Sequence, residues 1–315
     1  MSAEGSKKAI IAALSANAGI AAAKFVGFAI TGSSSMLAEA VHSVADTANQ
    51  GLLLVGQRRS ARQADRLHPF GYGRDRYFYS FVVALVIFAL GSLFAIYEGI
   101  NKIRHPHHLE SAVVAIVILV LAVCLESYSF ATAYRESKPL KGNVSWWSFI
   151  RTSRNPELPV VLLEDTGALL GLVLALGGVG LTVITDDPIW DGIGTLSIGI
   201  LLGVIATILI VEMKSLLIGE GVTDADEATV IEALGGASGI DRVIHLKTQY
   251  LGPEELLVAA KVAVAPNSSA RDIAAAIDGA EAALRARIPS ARVVYLEPDI
   301  DRDADTAAEP SPSAG

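Results

Sequence analysis

The sequence predicts a membrane protein of two parts, an all-α bundle of six transmembrane helices and a small C-terminal α+β domain. Of its 315 residues, 52% are hydrophobic and only 18% are charged, and the mean hydropathy is +0.46. Soluble domains rarely lie so far toward the apolar side. The apolar residues are gathered in long blocks up to about residue 220, where a shorter periodic pattern begins. A lipid bilayer is therefore the expected environment of the first part.

Six apolar blocks are long enough to cross a membrane, since a span needs about 20 mostly apolar residues. No small-residue cleavage site follows the first block, which is therefore interpreted as a helix rather than a signal peptide. We predict one transmembrane domain over residues 1–219. Its spans cover residues 8–31, 34–57, 77–101, 111–134, 157–183 and 189–214.

Lysine and arginine are unevenly distributed between the loops. Positive residues accumulate on the cytoplasmic side of a membrane. One side of the six-helix arrangement holds only Lys102 and Arg104. Both termini are therefore predicted to be cytoplasmic, and a chain without a targeting extension favours a bacterial inner membrane. The positive residues of the cytoplasmic side are Lys7, Lys8, Arg58, Arg59, Arg62, Arg66, Arg74, Arg76, Arg135, Lys138, Lys141, Arg151 and Arg154.

The C-terminal third predicts a cytoplasmic, ferredoxin-like domain over residues 220–300, with the order α-β-β-α-β. DADEATVIEALGG opens with acidic residues, as a helix does. VIHLKTQYLG and EELLVAAKVAVAP alternate like two strands joined by a turn. An amphipathic helix with Ser269 at its start and the strand ARVVYLEPDI follow. The tail, residues 301–315, has almost nothing to bury and is predicted to be disordered.

Composition excludes several classes of function. The net charge of −8 offers no basic face for nucleic acid. The single cysteine, Cys124, rules out disulfides and cysteine-based zinc sites within one chain. An intramembrane metalloenzyme would need a pattern such as HExxH, and the sequence contains none. The protein is therefore predicted not to be an enzyme.

Polar residues form a stripe in the second predicted span. His42 and Asp46 are four residues apart and lie on one helical face, which Glu39 and Asn49 extend. An ionisable residue inside a membrane costs about 2.5–3.5 kcal/mol on insertion scales, so such residues usually serve a function. A partner for these charges is therefore expected.

The fifth predicted span holds a second ionisable group, Glu164 and Asp165, at a depth similar to that of Asp46. Lys24 is the only lysine in the interior of the first four spans, away from their ends, and its long side chain is expected to extend toward the membrane surface. The acidic groups then lack a compensating charge and need a cation. The predicted metal ligands are His42, Asp46, Asp165 and Glu164.

The donor types indicate the ion and the chemistry. One imidazole and up to three carboxylates suit zinc, and manganese, iron(II) or cobalt also fit. Without metal, neighbouring carboxylates in a low dielectric cannot all stay ionised, so metal entry displaces protons. The residues thus predict a proton-coupled exporter of a divalent metal, with zinc as the leading substrate. A metal-binding scaffold or regulator without transport is the alternative.

Four stretches carry a resemblance to a known family. They are TGSSSMLAEAVHSVADTANQGLLLVG, HPFGYGRDRYFYS, SRNPELPVVLLEDTGALLG and TDDPIWDGIGTLSIGILLG. Together they resemble the cation diffusion facilitators, most closely the zinc transporter 9-like branch. The resemblance implies a homodimer of six-helix units with a cytoplasmic metallochaperone-like domain, and alternating access driven by protons.

Carried over position by position, the resemblance gives His42 and Asp46 as the ligand pair of the second span. Asp165 matches the aspartate of the fifth span. Where the family has a histidine four residues earlier, this chain has Val161, which cannot bind metal. Glu164 is the expected substitute and ranks below Asp165.

Two further family sites are incomplete. In the loop after the second span Asp65 and His68 remain, but Tyr72 replaces a histidine, and we interpret His68 as a turn residue. In the C-terminal domain, dimer packing rather than metal sensing is the expected use, and whether the domain binds metal stays open. There His245 is kept, and its expected partners are replaced by Lys261 and Tyr295.

Several polar or aromatic residues remain outside the predicted centre. Glu126, inside the fourth span, could relay protons, support the site or pair with Lys24, and the sequence does not choose. The histidines of the third loop are expected to be solvated, Glu98 and Glu212 to need no function, and the tryptophan pair to anchor at the membrane interface. The histidines are His105, His107 and His108, and the pair is Trp146 and Trp147.

Overall fold

The computed structural model describes residues 18–107 and 111–301. The start of the first predicted span, His108 and all but the first residue of the predicted disordered tail lie outside the described residues. The chain divides into two compact units. The helical unit contains the chain up to Arg62 and Asp75–Lys214, and the C-terminal unit contains Gln63–Arg74 and the chain from Ser215 onward.

The helical unit consists of long helices whose bounds follow the apolar blocks. A π-helical segment, Ile87–Leu93, interrupts the third block between α3 and α4. The α-helices are α1 (Ala18–Thr31), α2 (Ser34–Ser60), α3 (Asp75–Val86), α4 (Phe94–Arg104), α5 (Ala112–Lys141), α6 (Trp146–Thr152), α7 (Glu157–Thr185) and α8 (Ile189–Ile218).

Within the described residues, four helices are long and apolar enough to cross a membrane, and the protein is a membrane protein. They are Asp75–Arg104, Ala112–Pro139, Glu157–Thr185 and Ile189–Ile218. The other two predicted spans differ for identifiable reasons. The described part of α1 is short, because its predicted start lies outside the described residues. Helix α2 has 27 residues, but its polar stripe lowers its hydropathy.

The N-terminus of α2 is held by a carboxylate from α8. Asp191 is fully buried, and its two carboxylate oxygens accept hydrogen bonds from Ser33 Oγ and from the Ser34 backbone N–H, each at 2.8 Å. A negative charge at this end also interacts favourably with the positive end of the helix dipole. Asp191 thus anchors the helix that carries the polar stripe.

Both glutamates expected near the span ends have partners. Glu98 Oε1 accepts a hydrogen bond from Ser34 Oγ at 2.8 Å, next to the Asp191 cap. Glu212 forms an ion pair with Arg151 at 3.5 Å. Polar side chains of neighbouring helices thus contact both glutamates, and the expectation that neither has a function stays a prediction.

Close backbone contacts join the third block to α8. A Cβ atom on Gly99 would lie 2.6 Å from the Leu196 backbone nitrogen, and one on Gly199 would lie 2.7 Å from the Ile96 nitrogen. Ser92, in the π-helical segment, donates a buried hydrogen bond to the Gly199 carbonyl at 2.8 Å. Small residues let membrane helices approach this closely, so these glycines have a packing role.

The C-terminal unit has the predicted order α-β-β-α-β. Its sheet order is β1-β2-β3, with β1 antiparallel to β2 and β2 parallel to β3. Ser269 caps its second helix in a capping box with Asp272, as the serine at that position indicated. The elements are α9 (Asp224–Gly235), β1 (Arg242–Gly252), β2 (Glu255–Ala263), α10 (Ala270–Arg287) and β3 (Ala291–Asp299).

The segment Gln63–Arg74 packs within the C-terminal unit, although it lies between α2 and α3 in the chain. A Cβ atom on Gly73 would lie 2.7 Å from the Leu251 carbonyl oxygen, and one on Gly252 would lie 2.9 Å from the Gly73 Cα. Two glycines therefore allow the segment to contact the β1–β2 turn. No sequence pattern indicated this contact.

We predict that Asp191→Asn destabilises the helical unit by about 1–3 kcal/mol, because an amide N–H₂ would face the donors that the carboxylate now satisfies. The measurement is thermal unfolding of the full chain in detergent. Asp187→Asn, an exposed aspartate in the loop before α8, is the control and should change little. Equal melting temperatures for the parent and Asp191→Asn would contradict the role of Asp191 as an anchor.

Candidate metal centre

The polar stripe of α2 is buried throughout. Helical spacing places its four members on one face, and all four are buried: Glu39, His42, Asp46 and Asn49. Glu164 of α7 is also buried, whereas the adjacent Asp165 is partly exposed. Ionisable groups therefore lie inside the helical unit, where lipid and protein replace water.

His42 is the least satisfied polar side chain of the stripe. It is 1% exposed, and neither ring nitrogen has a hydrogen-bond partner among the described residues. Its Nδ1 lies 3.5 Å from Asp46 Oδ1, which likewise has none there. Buried polar groups are normally paired, and leaving one unpaired costs about 1–3 kcal/mol. This pair is therefore arranged for something other than mutual hydrogen bonding.

The stripe faces α7 through Glu164. Asn49 Nδ2 donates a hydrogen bond to Glu164 Oε1 at 2.7 Å. The Glu164 and Asp46 carboxyl groups also lie close together. Two neighbouring carboxyl groups in a low dielectric cannot both stay ionised unless a cation lies beside them. The α2–α7 interface thus combines a potential metal ligand with a proton-binding pair.

Asp165 faces another helix. Its Oδ2 accepts a hydrogen bond from Ser129 Oγ of α5 at 3.3 Å, since adjacent helical residues point in different directions. The structure brings His42, Asp46 and Glu164 together as neighbouring pairs, but does not bring Asp165 to them. In the described part of the chain, no three His, Cys, Asp or Glu side chains are close enough to hold one ion.

Val161 lies in an apolar cluster where the family carries a histidine. It packs against a cluster that contains Phe149 of α6. Trp146 packs against the same cluster, and its ring centroid lies 4.8 Å from that of Tyr134. Trp146 thus has a packing role, and the interfacial anchoring expected of Trp146 and Trp147 stays a prediction. Trp147 is exposed. Helix α6 supplies the aromatic surface that covers this part of α7.

Lys24 contradicts the expectation that it extends toward the membrane surface. It is 1% exposed, and its Nζ donates to Glu39 Oε2 at 3.0 Å and to Ser43 Oγ at 2.8 Å. The buried carboxylate of Glu39 holds it, because separating the two charges inside the helical unit would leave both unpaired. The stripe therefore has a compensating charge at Glu39. Glu126 is buried too, and its role stays open.

Two features near the centre were not predicted. The π-helical segment passes beside His42, where a Cβ atom on Gly91 would lie 3.8 Å from Nδ1. Such segments often occur at functional sites. Arg76 makes a bidentate ion pair with Glu157 at 2.6 and 2.8 Å, which fixes the start of α7. The only sequence signal for the π-helical segment was the pair Gly91-Ser92 within a predicted span.

The loop around His68 forms a closed turn. Asp65 accepts hydrogen bonds from the Tyr72 hydroxyl at 2.5 Å and from the backbone N–H groups of Leu67 and His68. These bonds, the one from Tyr72 foremost, lower the pKa of Asp65 to about 2. A carboxylate so fully engaged within its own loop supports the turn interpretation of His68.

On the sheet of the C-terminal unit, a lysine lies where the family resemblance placed a metal ligand. Lys261 pairs across the strands with His245, and its Nζ lies 3.1 Å from both Glu297 Oε1 and Asp299 Oδ2. The hydrogen bond to Glu297 contributes most to raising the pKa of Lys261. His245, Lys261, Glu297 and the exposed Tyr295 are among the residues that line a cavity of about 490 Å³. Lys261 and Lys247 supply positive charge there.

Buried ionisable groups on apolar helices define a membrane protein with a candidate ion centre, and comparison with known proteins gives its family. The family model of the cation efflux transmembrane domain matches residues 10–218. The chain belongs to the cation efflux family, the cation diffusion facilitators. Its resemblance to the zinc transporter 9-like branch is confirmed.

Two relatives each match about three quarters of this chain. The mouse "Proton-coupled zinc antiporter SLC30A9, mitochondrial" is 35% identical over 232 residues, which are 73% of this chain and 41% of that protein. Metal tolerance protein C4 of Arabidopsis thaliana is 32% identical over 79% of this chain and 55% of its own length. The chain thus spans about half or less of these two relatives.

Magnetosome proteins are more distant relatives. MamM of Magnetospirillum gryphiswaldense is 26% identical over 73% of this chain and 68% of that protein. A solved structure of a MamM C-terminal domain covers 25% of this chain and 94% of its own, with 22% identity and a TM-score of 0.24.

We predict that Arg76→Lys lowers the stability of the helical unit by about 1 kcal/mol, because an ammonium cannot reproduce the bidentate contact with Glu157. Unfolding of the full chain in detergent measures it, with Arg58→Lys, an exposed arginine of α2, as the control. If both variants have the same free energy of unfolding as the parent, the ion pair does not hold the start of α7.

Proposed function

We propose that this protein is a secondary active transporter that exports a divalent transition metal ion, zinc foremost, from the cytoplasm in exchange for protons. One observation carries the proposal. Both ring nitrogens of His42 and one carboxylate oxygen of Asp46 are buried without hydrogen-bond partners among the described residues. A cation that binds both groups would satisfy them.

The chemistry of the donors favours a late first-row ion. Imidazole nitrogen and carboxylate oxygen bind zinc well, and manganese, iron(II) and cobalt accept the same donors. We propose His42, Asp46, Asp165 and Glu164 as the ligands. To share an ion with Asp46, Asp165 has to turn away from Ser129, so binding includes a rearrangement at the α2–α7 interface.

Proton exchange follows from the contact between Asp46 and Glu164. Two neighbouring carboxyl groups in a low dielectric cannot both stay ionised, so the pair without metal holds a proton, and both groups must be deprotonated to bind a metal ion. Binding of the metal therefore releases that proton, and protonation from the opposite side favours release of the metal. The name of the mouse relative, a proton-coupled zinc antiporter, supports the coupling of metal transport to protons.

We also propose the arrangement in the membrane. Helices α1, α2, α5, α7 and α8, together with Asp75–Arg104, form six spans, and the clustering of Lys and Arg in alternate loops makes both termini cytoplasmic. The transmembrane domain covers 1–219, and a ferredoxin-like domain covers 220–300. The functional unit is a homodimer. Which membrane holds it stays a prediction.

A metal-binding scaffold without transport is the second candidate. It is favoured by Val161, which packs in an apolar cluster and leaves no donor at that position, and by the orientation of Asp165 toward α5. Both candidates bind metal, and only the transporter moves it across a membrane. A second form of the transporter proposal has manganese, iron or cobalt as the substrate of the same site.

The test is metal uptake by proteoliposomes that contain the full chain, under an imposed pH gradient. Zinc, manganese, cobalt and iron(II) are compared separately. We expect gradient-driven zinc flux that falls at least about tenfold in Asp46→Asn and in Asp165→Asn. Each substitution removes the negative charge of a ligand and keeps nearly the same side-chain shape. Asp187→Asn, at an exposed position, is the matched control and should keep the flux of the parent.

Each alternative has a distinct result. Flux of another metal that depends in the same way on Asp46 would support the transporter proposal and show that its substrate is not zinc. Metal binding by calorimetry without flux of any metal would contradict transport and favour the scaffold. Flux that survives both substitutions would show that the ion crosses elsewhere.

A further inference from the structure

A buried ion pair lies beside the candidate metal centre. Lys24 of α1 and Glu39 of α2 are both almost completely buried, 3.0 Å apart, and Ser43 accepts a second hydrogen bond from the lysine at 2.8 Å. Burying two charges is costly, and replacing such a pair by apolar residues is often neutral for stability. Packing alone therefore does not explain why the ion pair is present.

Glu39 is a neighbour of the proposed ligand His42. The two are three residues apart on one helical face, where Cβ atoms lie about 5–6 Å apart. Glu39 Oε1 is buried and has no hydrogen-bond partner among the residues that the structure describes. It lies only 2.7 Å from the position that a Cβ atom on Gly171 of α7 would take. This oxygen thus belongs to the same α2–α7 interface as the centre.

The charge of Glu39 would affect any metal ion bound at His42. A carboxylate one helical turn away, in a low dielectric, would attract the ion strongly or bind it directly. The proposed site would then hold its substrate too firmly to let it leave. The ammonium of Lys24, 3.0 Å from the Glu39 carboxylate, offsets this excess attraction.

We propose that Lys24 is a fixed internal cation that sets the affinity of the metal centre by neutralising Glu39, so that the bound ion can be released. This inference rests on the proposed function. Lys24 and Glu39 act through the charge that they present to the ion, and Ser43 and Glu39 together hold the ammonium in place.

A purely structural ion pair predicts a different pattern. Breaking it from either side would lower stability and weaken or leave unchanged the binding of metal. A charge-setting pair predicts opposite changes, because removal of the lysine adds net negative charge beside the ion and removal of the glutamate adds net positive charge.

The experiment measures zinc affinity and proteoliposome flux for the parent, Lys24→Met, Glu39→Gln and the double variant. We expect zinc to bind about tenfold more tightly to Lys24→Met, and flux at saturating zinc to fall at least about threefold as release slows. Zinc should bind about tenfold more weakly to Glu39→Gln. The double variant should return to within about threefold of the parent, and Lys24→Arg should behave like the parent.

The outcomes separate this inference from the proposed function. If the parent binds zinc through Asp46 but both single variants bind it equally well or both more weakly, the inference is wrong and the proposed function stands. If the parent binds none of the metals, both fail. If Lys24→Met does not fold, the comparison of Glu39→Gln with the double variant decides. The double variant should bind zinc about tenfold more tightly, and equal binding would overturn the inference.

Discussion

The contact between α2 and α7 is the interaction on which the candidate centre depends. Inside a membrane, polar groups must find partners within the protein, because lipid offers none. Asn49 and Asp46 meet Glu164 across this contact, and Glu39 lies against Gly171. His42 lies between these contacts without a hydrogen bond to any described residue. The interface is thus polar along its length. The polar atoms of His42 lack hydrogen-bond partners among the described residues, and the proposed substrate binds there.

One end of each of these two helices is held by a charged side chain. Asp191 caps α2 where that helix begins, and the Arg76–Glu157 pair fixes the start of α7. Between the two anchors, the carboxyl pair of Asp46 and Glu164 exchanges a proton for a metal ion in the account given above. Because each helix is anchored at its start, the polar residues in its middle can rearrange locally while the bundle stays folded.

Much of the architecture could be predicted, because local patterns determine it. The apolar blocks gave the bounds of the long helices, period-two alternation indicated β1 and β2, and Ser269 indicated the start of α10. The stripe on α2 could also be predicted, because residues three and four apart share a helical face. The placement of Asp165 toward α5, by contrast, depends on the rotation of α7.

What could not be predicted depends on contacts between residues distant in the chain. The partner of Lys24 lies 15 residues away, and the donors bound by Asp191 lie more than 150 residues away. The packing of Gln63–Arg74 in the C-terminal unit and the π-helical segment beside His42 are likewise products of tertiary packing. No periodicity records these contacts, yet they determine the charge around the centre.

X-ray absorption spectroscopy of the zinc-loaded protein tests the central claim most directly, because it reports the atoms bound to the ion. The account predicts a shell of nitrogen and oxygen with one imidazole and no sulfur, with zinc–nitrogen distances of about 2.0–2.1 Å. The imidazole contribution should vanish in His42→Gln and remain in the control His245→Gln. An imidazole signal that survives His42→Gln, or a shell without imidazole in the parent, would contradict the claim that the unpaired ring of His42 binds the metal.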